Sequence, residues 1–364
     1  MPAQPTLPTP PMPAHEHAPV AKQAADWRTV VSRYERPDPR RALTQLVTTI
    51  LPLVIVFVAM YQSLALSYWV TLLLVPLAAG LLVRTFIIMH DCAHRSFLPW
   101  SRVNDFIGVC TGIVTLTPFG KWRREHARHH ASSGDLDRRG HGDIETLTVA
   151  EYRARSPWGR FRYRAFRHPA TILGLGPLHL IVLQRLRSKG VTIRDRETAS
   201  VWMTNVAILA VLTAFVLWLG LAPVLLVYLP AMYVAAIGGV WLFYVQHQFE
   251  DAYWKDHKDW DYATAAIRGS SYFKLPPVLR WLTGNIGLHH VHHLGPRIPN
   301  YRLQRCHDEN TLFHDVTVLT IRHSVHTLRL SLWDEERGQL VSFKDAKALQ
   351  PSGSDALRPS AVAR

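Results

Sequence analysis

The chain has 364 residues, enough for one large domain or two, and its 48% apolar content resembles that of soluble proteins only because an uneven distribution is averaged. The formal net charge of +14 raises nucleic-acid binding, but the basic residues flank two apolar blocks: Arg40 and Arg41 precede the first, and Lys255, Lys258 and Arg268 follow the second. That is how a membrane protein meets anionic headgroups, so nucleic acid is set aside, and three widely spaced cysteines (Cys92, Cys110, Cys306) with no CxxC pair give no disulfide framework or zinc–thiolate site.

In chain order, residues 1–25 read as a disordered tail: nine of the 24 prolines fall in residues 1–39, and no basic stretch followed by an apolar core marks a signal peptide. Residues 26–349 read as a single membrane domain. Ala42 to Val83 and Thr198 to Phe249 contain no Asp, Glu, Lys or Arg. As straight helices they would extend about 63 and 78 Å at 1.5 Å per residue, enough for two crossings each of a hydrocarbon core about 30 Å thick. Four spans are predicted at about 43–63, 66–89, 200–219 and 222–246, joined in pairs by short turns at Gln62 to Ser67 and Gly220 to Pro223. All basic residues lie away from those turns, which puts both termini and the inter-hairpin segment in the cytoplasm. Two shorter apolar stretches, Val103 to Phe119 and Ala170 to Leu186, carry glycine and proline and are expected to be interfacial or re-entrant. The segment 250–364 is soluble and mixed, with a helix expected near Asn310 to Leu332 and a disordered tail at 350–364. The fold class is therefore all-α integral membrane: four transmembrane helices as two hairpins, with a cytosolic helical cap carrying a polyhistidine di-metal site.

The 20 histidines are not randomly spaced. His90 and His94 form an i, i+4 pair where the second span leaves the membrane. His126, His129 and His130 share one helix face at i, i+3 and i+4, and His289, His292 and His293 repeat that HxxHH spacing. His247 closes the fourth span. Under the topology above, all four groups lie at one membrane surface. Nine imidazoles gathered there would repel if protonated and would be costly to bury unpaired. Neutral imidazole is a good first-row metal ligand, and the count suits two ions with four or five nitrogens each and an open position. His290 interrupts the third motif and reads as a supporting residue. His15, His17, His141, His168, His179 and His257 stand outside the pattern.

The text HDCAHRSF, EHARHH, YVQHQFE and NIGLHHVHHLGPRIPNY resembles the membrane fatty acid desaturase family, most closely its bacterial acyl-lipid branch related to omega-6 (delta-12) desaturases. The resemblance covers roughly residues 40–310. It implies a four-span fold with a cytosolic cap, a bacterial inner-membrane location, and two irons with O2 as co-substrate. Carried over by position, the metal ligands are His90, His94, His126, His129, His130, His247, His289, His292 and His293. Asn285 is the position implied to hold a metal-bound water. Plant-type relatives have Glu and Gly where this chain has Asp91 and Ala93, and Arg95 follows where a small or apolar residue is expected. These departures leave the ligands intact and bear on where along the acyl chain the reaction falls.

A methylene C–H bond is not acidic, so the cofactor must carry its oxidation while the protein supplies geometry and an apolar tunnel. Asp91, Glu125, Glu250 and Asp251 are candidates to hold ligating imidazoles by their second N–H. The run Ser132 to Tyr152, with Asp135, Asp137, Asp143 and Glu145, is either such a support, a headgroup contact or a well-capped loop. Trp122, Trp254, Trp260 and Trp281 read as interfacial anchors. There is no iron–sulfur, haem-attachment or dinucleotide motif, so a separate ferredoxin-like or cytochrome b5-like donor is expected to serve an acyl-lipid or acyl-thioester substrate. The alternative on the same site is a lipid or carotenoid hydroxylase or ketolase. A metal transporter would need polar residues at mid-span, and the spans offer almost none.

Overall fold

A computed structural model describes residues 27–140, 144–186 and 195–348. The expected tails at 1–25 and 350–364, with His15, His17 and His141, lie outside the described residues. Four helices are long and apolar enough to cross a membrane: Pro39–Ser63, Tyr68–Ala93, Arg196–Leu219 and Leu221–His247. Each outruns its predicted span by a few residues, because caps set the ends where hydropathy fades. Asp38 caps the first through Arg40 N and Arg41 N, with Pro39 in the first turn, and Ser67 caps the second through Trp69 N.

The first hairpin closes through Ser63 Oγ and Thr71 Oγ1, 2.8 Å apart. The second turns on Gly220, whose φ of 87° is costly for any residue with a Cβ. The second span is the central one: Val75, Ala78, Ala79 and Leu82 pack against Leu53, Val56 and Met60 of the first and against Val227, Ala231 and Ala235 of the fourth. Small residues there let the backbones approach, since helices in lipid associate by packing. Exposed apolar rows, including Leu43, Val47, Leu51, Val54 and Val58 on the first span, face outward where lipid would lie.

Between the hairpins, helices Ser101–Val114 and Phe119–Ser132 meet at 102°. The corner is made by Leu116 (φ 56°), by Thr117 N donating to Gly112 O at 2.7 Å, and by Pro118. Neither half is a full span, as the glycine- and proline-bearing stretch predicts. The second stretch, 170–186, is a π-helical turn (Thr171–Leu175) running into helix Gly176–Gln184.

The cap is largely helical, but it includes two small sheets that apolar periodicity does not reveal. Leu147–Thr148 pairs in parallel with Leu330–Asp334, which pairs antiparallel with Gln339–Ser342; Tyr272–Phe273 pairs in parallel with Val318–Leu319. The expected helix over Asn310 to Leu332 is corrected. That segment is a 3-10 turn (Thr311–Phe313), the strand Val318–Leu319, a short helix Ile321–Thr327 and the start of the strand Leu330–Asp334. The β-branched run Val316, Thr317 and Val318 favours the strand, and Thr320 starts the helix anew by accepting from His323 N. The cap is tied to the fourth span by Arg167, fully buried, which donates to Gln248 Oε1 at 2.7 Å, Leu330 O at 2.8 Å and Tyr244 OH at 3.2 Å.

Candidate metal centre

The nine predicted histidines come together from four helices. His90 lies in the last turn of the second span and His94 caps it, and Arg95 turns the chain away at a left-handed φ of 57°. His126, His129 and His130 lie on Phe119–Ser132; His247 ends the fourth span; His289, His292 and His293 fill the short buried helix His289–Leu294. They divide into two sets: His90, His94, His126, His130 and His292 in one, His129, His247, His289 and His293 in the other, each with ligand atoms within 4.8 Å of one another.

In the first set, Nε2 atoms run His90–His292 (3.0 Å), His292–His130 (3.0 Å) and His130–His126 (3.1 Å). In the second they run His129–His247 (3.1 Å), His247–His289 (2.9 Å) and His289–His293 (3.1 Å). A neutral imidazole Nε2 offers one in-plane site, either a proton or a lone pair. His292, His130, His247 and His289 each face two other Nε2 atoms, so hydrogen bonding cannot satisfy the rows. His94 Nε2, buried among the first set, has no hydrogen-bond partner at all. A cation at the centre of each set resolves both facts. Metal–imidazole bonds of about 2.1 Å place neighbouring nitrogens about 3.0 Å apart at right angles and about 3.4 Å apart at the tetrahedral angle. The observed spacings fall near the right-angle value, so the imidazoles of each set are placed where they could share a metal ion.

Burial, followed by the other imidazoles, holds His94, His126, His130, His289, His292 and His293 well below the ordinary histidine pKa. These six imidazoles are therefore neutral nitrogen donors at physiological pH. Their outer nitrogens are partly oriented: His90 Nδ1 lies 3.1 Å from Asp91 Oδ1, and His247 Nδ1 lies 3.2 Å from Gly269 O. Trp122 stacks on His126 with ring centroids 4.3 Å apart, and Phe243 packs 5.3 Å from both His129 and His247.

The other predicted residues fall in different places. Asp91 is buried against His90. Glu125 accepts from Gln184 Nε2 at 3.1 Å and lies 3.7 Å from Lys121 Nζ. Glu250 is exposed, and its carboxylate has no hydrogen bond to any of the nine imidazoles. Asn285 takes a left-handed φ of 58° and donates to Asn300 O at 3.1 Å. His290 pairs with His307 at 3.2 Å, outside both sets, and burial followed by His307 pushes it down to about 3. Asp135 caps its own loop through Asp137 N and holds His257 Nδ1 at 2.7 Å, the well-capped-loop reading of that run. Trp122 and Trp254 are not interfacial anchors: one stacks on the histidine site and the other is buried in the cap. Asn300 escapes sequence reasoning altogether. Its backbone N and Nδ2 donate to Asp91 Oδ2 at 2.7 and 2.8 Å from 209 positions away.

The fatty acid desaturase family model matches residues 66–318. The chain is 42% identical over 340 residues to a fatty acid desaturase of Bacillus subtilis, covering 93% of this chain and 94% of that one. It is 26% identical to the sn-1 oleoyl-lipid 12-desaturase of Synechocystis over 62% of this chain and 64% of that protein, and 27% identical to the chloroplastic omega-6 fatty acid desaturase of Arabidopsis thaliana over 61% of this chain and 49% of that one. A four-helix membrane body, two polyhistidine sets able to hold metal, and a family match across most of the chain agree: this protein belongs to the fatty acid desaturase family, oxidoreductases acting on acyl lipids.

Proposed function

We propose that the chain is an O2-dependent di-iron desaturase that places a double bond in the acyl chain of a membrane lipid at a delta-12/omega-6-like position, with one iron in each histidine set. The observation that carries this reading is the pair of imidazole rows at 2.9–3.1 Å, which no hydrogen-bonding pattern satisfies. Bound there, iron would supply the oxidation that removes two hydrogens from adjacent methylenes, with O2 reduced to two waters by those hydrogens together with two electrons from a separate donor and two protons from solution. The protein's part is to hold nine imidazoles in fixed directions and to keep bulk water away from the reacting carbons. Asp91 fixes the His90 ring and Gly269 O fixes His247. The basic flanks support a cytoplasmic site at the inner membrane, and they suit an acidic ferredoxin-like or cytochrome b5-like donor. The names of the Synechocystis and Arabidopsis relatives support the proposed bond position. The hydroxylase or ketolase alternative has no observation in its favour.

The test is expression in a bacterium of known fatty-acid profile, with total lipids read by gas chromatography–mass spectrometry and His129→Ala as control. A new unsaturated acyl species absent from the control locates the bond. An oxygenated species instead, or purified protein that binds no iron, overturns the reading.

A further inference from the structure

Beside the histidine site lies an open cleft of about 590 Å³, walled by the start of the first span, the second span near Arg84, and the segments around Trp281 and Asn300. Its lining includes Arg40, Arg41, Arg84 and Arg280, and no acidic residue. Arg84 lies within a transmembrane helix and is 7% exposed. It donates from Nε to Thr49 Oγ1 at 3.0 Å, contacts Trp281 O, and stands over the Trp281 ring at 4.0 Å, with no carboxylate partner. An unpaired guanidinium at that depth is costly, and such residues mark binding sites. Gln45 makes the second, independent observation. It is 5% exposed, lines the same cleft, and has no hydrogen-bond partner for either Oε1 or Nε2. A buried amide with both ends unsatisfied is costly unless a ligand supplies the partners.

We infer that this cleft binds the phosphodiester and glycerol-ester region of a membrane phospholipid. Arg84, Arg280 and the exposed Arg40 and Arg41 meet the phosphate, and the Gln45 amide meets the ester oxygens and the glycerol or headgroup hydroxyls. The inference rests on the acyl-lipid desaturase reading and narrows its substrate from any membrane lipid to a phospholipid. The surroundings support a ligand with tails: Leu43, Val47 and Leu51 on one side and Val278 and Leu279 on the other expose apolar side chains next to the polar lining. From Arg40 to Thr48 the wall follows the first span for about 12 Å, deeper than a water-borne phosphate needs. The cleft also shares Asn300 with the metal site, because that residue lines it and holds Asp91 against His90. The cleft therefore adjoins the Asn300–Asp91 pair that holds His90.

Native mass spectrometry of the detergent-purified holoenzyme, titrated with phosphatidylglycerol, tests this. The wild type should bind one phosphatidylglycerol tightly, and diacylglycerol of the same chain length should not compete. Gln45→Leu and Arg280→Ala should each weaken binding about five- to tenfold, as lost polar contacts do. Both should keep the wild-type iron content, and Gln45→Leu should melt no lower than wild type, since it removes an unsatisfied amide. Arg84 also joins two spans and is left in place. Equal binding of diacylglycerol, or wild-type affinity in both variants, overturns the inference. Displacement by octanoyl-coenzyme A or by inorganic phosphate at equal concentration overturns it in favour of a soluble ligand. Binding needs no turnover, so failure here leaves the desaturase reading standing, and a failed desaturation assay with intact binding does the reverse.

Discussion

Asp91 sits between His90 and Asn300, with one carboxylate oxygen 3.1 Å from His90 Nδ1 and the other accepting two hydrogen bonds from Asn300. The carboxylate thus links the end of the second span to the helix Asn300–Glu309. Asp91→Asn keeps the shape and removes the charge that favours the His90 Nδ1 proton. Metal affinity should fall about 10- to 100-fold, as it does when a ligand's outer partner is altered. Chelator competition measures this, with Asn300→Ala expected to give a smaller drop in the same direction.

The two sets should be separable from their neighbours. His293→Ala should lower bound iron by at least half and abolish desaturation. His290→Gln, altered at a buried position that pairs with His307 outside both sets, should keep both metals and most of the activity. Iron per chain by elemental analysis, alongside lipid profiles, distinguishes the two variants.

Removing metal should loosen the fold. Each set gathers imidazoles from three helices, and a ligand bound only to the native state stabilises it by RT ln(1 + [L]/Kd). Chelator-treated protein should therefore melt lower than the holoenzyme, and ferrous iron added without oxygen should restore the difference. An unchanged melting temperature would count against metal in these sets.

Acid should act on the cap through Glu151. Burial disfavours its charged form, but hydrogen bonds and charge from Arg139 prevail and hold its pKa below the ordinary value. Arg139 grips both carboxylate oxygens, at 2.6 and 2.8 Å. A depressed carboxylate contributes stability that is present above its unfolded pKa of about 4.3 and is lost as pH falls through the lower folded value. Glu151→Gln should thus melt below wild type near neutral pH, and the gap should close in acid. A gap that stays constant with pH would refute the assignment.

Gly284 sits at φ 53° just before Asn285, and a Cβ there would meet Ile87 Cγ2 at 2.8 Å and Asn300 Oδ1 at 3.3 Å. Gly284→Ala should destabilise by about 1–3 kcal/mol. By pushing Asn300 it should also weaken metal binding, which separates it from an ordinary loop mutation.

Much of this was legible in the residues because it is local. Two charge-free blocks mark the hairpins, and His126, His129 and His130 share a face by helix periodicity alone. Asn300 was not legible as the partner of Asp91, because nothing local marks a contact 209 residues apart. Arg167 reads as one more base in an arginine-rich helix, yet five acceptors converge on its buried guanidinium where the cap meets the fourth span. The short strands were missed because two-residue pairings leave no alternation to detect. Trp122 was misread because its bilayer-edge position and its place against His126 look alike in one dimension.

The division of the histidines crosses the chain. The first half provides four imidazoles to one set and a single one, His129, to the other; the second half provides three to that other set and sends His292 back. Neither half owns a complete cage. During synthesis neither set can be completed until nearly 300 residues have been made. A metal in either set would tie the two halves together, closing loops of 162 and 118 residues. A chain truncated before His289 would keep two of the four imidazoles of the second set and four of the five of the first.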